Sequence, residues 1–280
     1  MDANTISHIL LPIDFSESSL NAFETGVAIA QKNNASVTII HVQDNTFEYD
    51  HTNLHGNHKI EDNFGDVLNA LADAAQLKLG KVPRLIMGEG PITASIVNTA
   101  NKYSCDLIVM GAHGASGYRE LFIGTNTYKV IKYASCPVLI IPTKKKFKQF
   151  NNVLFPLKPL PGVLKKYDLI RCMTSNNQET SLEILCLSSK INDDDEQLFE
   201  YLLDEFKERT EGVPTKVSSQ YSFGNNIAEI ILKTAEELRS DLLLLTPSID
   251  ISNKQFFIGP YTQRILHHSK TPVLVIKRNN

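Results

Sequence analysis

No apolar run in this chain of 280 residues approaches the roughly 18 residues that a membrane-spanning helix needs, so no membrane partner is expected. The N-terminus Met1-Asp2-Ala3-Asn4-Thr5 lacks the basic-then-apolar order of a secretion signal, which sets the expectation of a cytoplasmic protein. Cysteine is scarce: Cys105, Cys136, Cys172 and Cys186 are the four, and no two share C-x2-C spacing. This excludes a zinc ribbon or a thioredoxin-like pair and fits buried thiols in a reducing compartment. Basic excess is missing too. A formal net charge of -3 argues against a dedicated nucleic-acid surface, which normally carries a basic face. No nucleophile stands paired with a base and no metal box occurs, so no catalyst and no resident metal are expected.

What the chain does have is an internal repeat. From Ile227 onward, sliding the C-terminal half back by 135 residues sets Thr234-Ala235 on Thr99-Ala100, Asp241-Leu242 on Asp106-Leu107, Phe257-Ile258-Gly259 on Phe122-Ile123-Gly124, and Pro272-Val273-Leu274 on Pro137-Val138-Leu139. Nearer the start of each half the offset changes, with Val153-Leu154-Phe155-Pro156 facing Ile9-Leu10-Leu11-Pro12. Two domains of one fold are expected, residues 1–145 and 146–280. Between them Lys144, Lys145, Lys146 and Lys148 read as a solvated linker, with a functional basic patch as the alternative.

Within the first half, short apolar runs alternate with segments of helical period. Strands are expected at His8–Ile13, Ser36–Val42, Val82–Met87, Asp106–Met110 and Pro137–Ile141. Helices are expected at Ser16–Lys32, Asp66–Leu79, Pro91–Tyr103 with Pro91 as first residue, and Thr125–Tyr133. Such alternation implies an α/β fold: two tandem doubly wound, Rossmann-like domains, each with a mostly parallel five-stranded sheet. Ligands of such sheets lie at the carboxyl ends of strands where the order reverses. Asp14 follows the first strand and a glycine loop follows the fourth, so the two face each other only in the order 3-2-1-4-5.

That loop is the most informative motif. Gly111, Gly114, Gly124 and Thr125 form G-x2-G-x9-G-[ST] directly after Leu107-Ile108-Val109-Met110. A strand that ends in such a loop and reopens as a helix presents backbone N–H groups at a positive helix end, which suits phosphate. A side chain at Gly114 or Gly124 would fill the phosphate's space or forbid a positive φ. The competing reading is that these glycines only turn the chain.

Taken in order, Leu11-Pro12-Ile13-Asp14-Phe15-Ser16, His41-Val42, Met110-Gly111-Ala112-His113-Gly114 with Gly124-Thr125, and Pro137-Val138-Leu139-Ile140-Ile141 resemble the universal stress protein family, here in a tandem form covering essentially the whole chain. The resemblance implies ATP as ligand, with Mg2+ as counterion of its phosphates. It assigns Asp14 and Val42 to the adenosine end and Gly114, Gly124, Thr125 and Asn126 to the phosphates, with Pro12, Ile13, Met110, Gly111 and His113 completing the site. It also implies pairing of closing strands. Family members dimerise through that strand, and a tandem chain can make the pairing internally, Pro137–Ile141 with Pro272–Ile276, and then form a homodimer or not.

The C-terminal half departs from the pattern. Lys158 stands for Asp14, Thr246 for Gly111, Ile249 for Gly114, and Pro260 follows Gly259 where Thr125 follows Gly124. Pro260 has no N–H to point at a phosphate, and Ile249 adds branched bulk where the backbone must come close. One site per chain is expected, in the N-terminal half.

Several residues carry two readings. His113 reaches a phosphate or faces solvent, and Arg119 covers the phosphates or decorates a loop. Ser16 reads as a helix cap. The stretch Asp44 to Asn63, with His51, His55 and His58, reads as a surface insertion before it reads as a metal site. The leading function is an ATP-binding stress-response regulator or sensor whose surface an unidentified protein reads. An interaction module that binds no nucleotide is the alternative. A nucleotide-transfer enzyme is disfavoured, because Asp14-Phe15-Ser16-Glu17 stands where a pyrophosphate loop would be; Ser116 and Thr125 leave slow hydrolysis or self-phosphorylation open.

Overall fold

Runs such as Ile9-Leu10-Leu11 and Leu107-Ile108-Val109-Met110 are apolar at every position, and a strand of that kind is stable only with both its faces covered. The chain supplies the cover by following most strands with a helix. A computed structural model describes residues 5–43, 58–114, 123–143, 149–157, 167–174, 180–188, 193–210, 215–224, 226–246, 249–250, 255–256 and 259–277. The N-terminal half runs β1 (His8–Pro12), α1 (Glu17–Asn33), β2 (Ser36–Gln43), α2 (His58–Leu79), β3 (Arg84–Glu89), α3 (Ile92–Lys102), β4 (Leu107–Gly111), α4 (Thr125–Tyr133) and β5 (Val138–Ile141). The C-terminal half runs β6 (Asn152–Leu157), α5 (Tyr167–Met173), β7 (Thr180–Ser188), α6 (Asp193–Thr210), β8 (Thr215–Phe223), α7 (Ile227–Glu237), β9 (Leu242–Leu245), β10 (Ile249–Asp250), β11 (Gln255–Phe256), α8 (Pro260–His268) and β12 (Val273–Val275).

Ten strands form one sheet in the order β3-β2-β1-β4-β5-β12-β9-β6-β7-β8. Each half contributes the order 3-2-1-4-5, parallel throughout. The halves meet where β12 runs antiparallel to β5, with Val273 opposite Ile140, Leu274 opposite Leu139 and Val275 opposite Val138. This is the internal pairing of closing strands that the resemblance implies. Alternate strand residues feed two cores: α1, α2, α5 and α6 pack on one face, and α3, α4, α7 and α8 on the other. On α1 the stripe Phe23, Val27 and Ala30 is buried, each larger side chain contributing about 1.5–3 kcal/mol.

The repeat also has a structural reason for one of its shared aspartates. Asp106 Oδ2 accepts from the N–H groups of Ser7 and His8 at 2.8 and 2.9 Å, tying the start of β1 to that of β4. Asp241 does the same in the second half, accepting from Asn151 and Asn152 at 2.8 and 2.9 Å. Burial raises the Asp241 carboxyl above its ordinary value even though these amides oppose the shift.

Most boundaries fall within a residue of the sequence reading, but β3 runs Arg84–Glu89 in place of the expected Val82–Met87, and two helix starts differ. Helix α2 begins at His58, eight residues before the predicted Asp66, and takes up the end of the polar stretch 44–63. Pro91 is the N-cap of α3, with φ -60° and ψ 118°, and not its first residue. The proline ring suits either place because both need φ near -65°. Lys144 to Lys148, Ser116, Arg119, Lys158, His51 and His55 lie outside the described residues.

The C-terminal half grips α4. Gln263 Nε2 donates to the Tyr128 hydroxyl at 3.2 Å, and Lys277 Nζ donates to the carbonyls of Lys132 at 2.8 Å and of Ala134, an ammonium placed at a helix C-terminus. Burial pulls the Lys277 pKa from 10.5 down to about 8. The unfolded chain therefore holds this proton more tightly, and the cost of the buried charge is complete below pH 8 and gone above 10.5. Between those limits, wild-type stability is expected to rise with pH relative to Lys277→Met, read from denaturant midpoints. Parallel profiles for the two proteins would refute this.

Candidate functional site

At the carboxyl end of β1 the chain turns sharply. Phe15 takes a left-handed conformation, φ 63°, which is costly for a bulky residue. Its surroundings compensate. The Ser16 N–H and hydroxyl both donate to Asp14 Oδ1, at 3.1 and 2.6 Å, and Ser16 Oγ accepts from the Ser19 N–H at 3.2 Å as the cap of α1. The Phe15 ring lies 4.8 Å from the ring of the buried His41, tilted by 45°, and His41 Nδ1 lies 2.8 Å from the Ile13 carbonyl. A carbonyl only accepts, so Nδ1 carries the proton. One Asp14 oxygen is thereby fixed, and the other projects toward the glycine loop.

Across the cleft, Gly111 ends β4 against the first turn of α1. A Cβ built on Gly111 would lie 2.3 Å from Ser18 Oγ and 2.7 Å from the Ser18 carbonyl carbon. On Gly114 it would lie 2.9 Å from Asp14 Oδ2. On Gly124 its nearest neighbour is the Ala112 carbonyl oxygen at 3.5 Å, an ordinary contact. None of the three has a positive φ, so the conformational half of the sequence argument does not hold. Close approach is what the first two share, Gly111 to helix α1 and Gly114 to Asp14, whereas Gly124 has room for a Cβ.

Helix α4 opens on Gly124, φ -61° and ψ 145°, with no side chain capping it and no acidic residue in its first turn. The Gly124 N–H donates to the Ala112 carbonyl at 2.8 Å, and Thr127 Oγ1 donates to the Gly111 carbonyl at 3.0 Å. These bonds hold the helix end over the end of β4. The first-turn amides of Thr125 and Asn126, which have no acceptor within the helix, then face outward at the positive end of the dipole. One residue before the cap, the Ile123 N–H donates to His267 Nδ1, from α8, at 2.8 Å. Because that N–H donates, Nδ1 keeps its lone pair; burial first, then His268 and His113, also hold the His267 ring below its ordinary pKa.

All eleven residues singled out from the sequence line a single cleft of about 200 Å³: Pro12, Ile13, Asp14, Val42, Met110, Gly111, His113, Gly114, Gly124, Thr125 and Asn126. His113 lies with its N–H 3.4 Å from Ser18 Oγ and its Nδ1 3.5 Å from Thr143 Oγ1. Five lining residues were not anticipated: Ser19, Ile40, Ile92, Ile96 and Thr127. Of these, Ile96 is also buried in the core, and Ile92 packs against it. The cleft thus has an apolar wall, Ile40, Val42, Ile92, Ile96 and Met110, and an opposite wall of backbone N–H groups, with the Asp14 carboxylate between β1 and the loop. Such a surface takes a flat apolar ring at one side and an anion at the other.

In the C-terminal half the equivalent ground is built differently. Ile249 lies in a short antiparallel pair, opposite Phe256, and α8 carries Pro260 at its start behind Gly259, φ -59° and ψ 162°. The helix end there has one amide fewer.

Comparison with known proteins agrees with this architecture. The model of the universal stress protein family matches residues 5–142 and 185–277. Universal stress protein MJ0531 of Methanocaldococcus jannaschii is 31% identical over 51% of this chain and 86% of its own length. Universal stress protein YxiE of Bacillus subtilis is 28% identical over 48% of this chain and 97% of its own. Among solved structures, a universal stress protein from Archaeoglobus fulgidus superposes with a TM-score of 0.72 at 19% identity, covering 99% of this chain and 98% of that one, a likeness of fold along the whole length.

Proposed function

This chain belongs to the universal stress protein family, and from that premise we propose that it binds ATP in the cleft at the start of α4 and acts as a stress-response regulator or sensor. One observation carries the reading: residues from the ends of β1, β2 and β4 and from the start of α4 line a single cleft whose anion-facing end is an uncapped helix N-terminus. The apolar wall receives adenine. Asp14 accepts from a sugar hydroxyl or the adenine amino group, and as a carboxylate it keeps the phosphates away from its own side. Amides of the loop and of Thr125 and Asn126 take the phosphates, each contributing about 1.5–3 kcal/mol to a charged acceptor. Among the described lining residues Asp14 is the one carboxylate, too few for a protein-built magnesium site, so Mg2+ arrives bound to the phosphates.

Residues 1–145 form the nucleotide-binding domain in this reading, and 146–280 a degenerate copy that binds none. Bound nucleotide orders the glycine loop and changes a surface that another protein reads in the cytoplasm. Among the described lining residues no nucleophile is paired with a base, and efficient turnover is not part of the proposal. Nucleotide released from purified protein by gentle denaturation and identified by mass spectrometry tests the ligand.

A variant tests the site. Thr125→Pro copies the Gly259-Pro260 order into the N-terminal half. Gly124 already has the extended ψ that a residue before proline requires, and proline is welcome at a first helical position, so the fold should persist. The expected loss is one amide, hence about tenfold weaker ATP binding by calorimetry with an unchanged melting temperature. Unaltered affinity would show that the start of α4 does not hold the phosphates.

A further inference from the structure

We propose that His267 of the C-terminal half is a positioning residue for the anion-binding end of α4 in the N-terminal half. The ligand side of this inference rests on the nucleotide reading above; the structural side does not. Ile123 is buried, and a buried N–H without an acceptor is costly. The acceptor at 2.8 Å is His267 Nδ1, a side chain 144 residues away in the sequence. The next amide, that of Gly124, is fixed by the Ala112 carbonyl. Two successive peptides are therefore pinned, one by each half, immediately before the amides of Thr125 and Asn126 that line the cleft. Without the first pin the peptide ahead of Ile123 can rotate, the Gly124 N–H is left as the one fixed point before the cap, and the geometry that aims the next amides loosens with it.

The contact runs one way. Under the repeat's shift of 135 residues, His267 corresponds to Lys132 and Ile123 to Ile258. A lysine ammonium only donates, so the N-terminal half cannot return the bond. Lys277, which holds the far end of α4, likewise corresponds to Pro142, which has no side-chain donor. Between these two, Gln263 reaches Tyr128 near the middle of the helix. Gln263 and Tyr128 are themselves equivalent under the shift, so the C-terminal half, altered where phosphate would sit, has residues at two points along α4, His267 and Lys277, that the N-terminal half lacks or cannot use in return.

Three variants test the assignment: His267→Ala, His267→Asn, whose Oδ1 accepts close to where Nδ1 stood, and the exposed neighbour His268→Ala as control. Amide exchange at Ile123 is measured by NMR without ligand, and ATP affinity by calorimetry. His267→Ala should speed Ile123 exchange about tenfold and weaken ATP about fivefold; His267→Asn should restore both, and His268→Ala should change neither. Unchanged Ile123 exchange in His267→Ala overturns the proposal, as does faster exchange with undiminished ATP affinity. If the wild-type protein binds no ATP, the nucleotide reading fails, and the exchange rates alone decide whether His267 fixes the loop. If His267→Ala does not fold, His267→Asn decides: wild-type exchange and affinity support the acceptor role, and loss of either overturns it.

Discussion

Replacing Gly114 with valine is expected to weaken ATP binding about 100-fold or more, measured by calorimetry or equilibrium dialysis, while the ligand-free protein melts near the wild-type temperature. The first atom added would lie 2.9 Å from Asp14 Oδ2, and the two methyls beyond it need further room. The obstacle is the end of a side chain, so the fold can accommodate it by moving the carboxylate. Asp14 cannot move without cost to the ligand, because its other oxygen holds the Ser16 N–H and hydroxyl. The variant therefore displaces the group that orients the sugar or base and fills the space beside the phosphate amides. Losing one charge-assisted bond accounts for about 1.5–3 kcal/mol, and the displaced anion adds to it. Wild-type affinity in Gly114→Val would place the ligand elsewhere.

A larger effect on stability, with the same chemical change, is expected three residues earlier. Gly111→Val should destabilise the fold by about 3 kcal/mol or more, seen as a lower denaturant midpoint with or without nucleotide. Here the added carbon meets the Ser18 carbonyl carbon at 2.7 Å as well as its hydroxyl at 2.3 Å. Backbone of a helix cannot swing aside as a carboxylate can. Relief requires α1 to lift from β4, and α1 carries Phe23, Val27 and Ala30 into the core. An unchanged midpoint would mean that the helix tilts away without losing that packing. The pair separates two jobs within one motif, since the first glycine secures the fold and the second clears ground for the ligand.

Much of this was legible in the sequence, for identifiable reasons. Helix α4 was read with both ends correct, because a glycine precedes it and its last turn leads directly into the Pro137 strand. The order 3-2-1-4-5 followed from requiring Asp14 and the glycine loop to share one edge. The start of α2 was missed because Ile60 and Phe64, four apart and in register with Leu68, stand among the polar residues of the stretch 44–63, which read as an insertion, with Gly65 breaking the pattern. Gly111 lines the cleft as read, but its close packing on α1 was not read. Its conflict is with Ser18, more than ninety residues away in sequence, and no local pattern reports that approach. The same holds for the His41 ring under Phe15 and for His267 at Ile123. Each is a polar atom satisfied across the fold, and satisfaction of that sort leaves no periodic trace.

The antiparallel seam between β5 and β12 has a consequence for how the two halves can evolve. Separate subunits mix: an altered copy meets intact and altered mates in proportion to their supply, and dilution parts them all. Halves joined through one polypeptide meet the same mate every time. A substitution such as proline at the start of α8 is thus always presented beside the unmodified α4, and specialisation of one half into a support for the other is inherited as a unit.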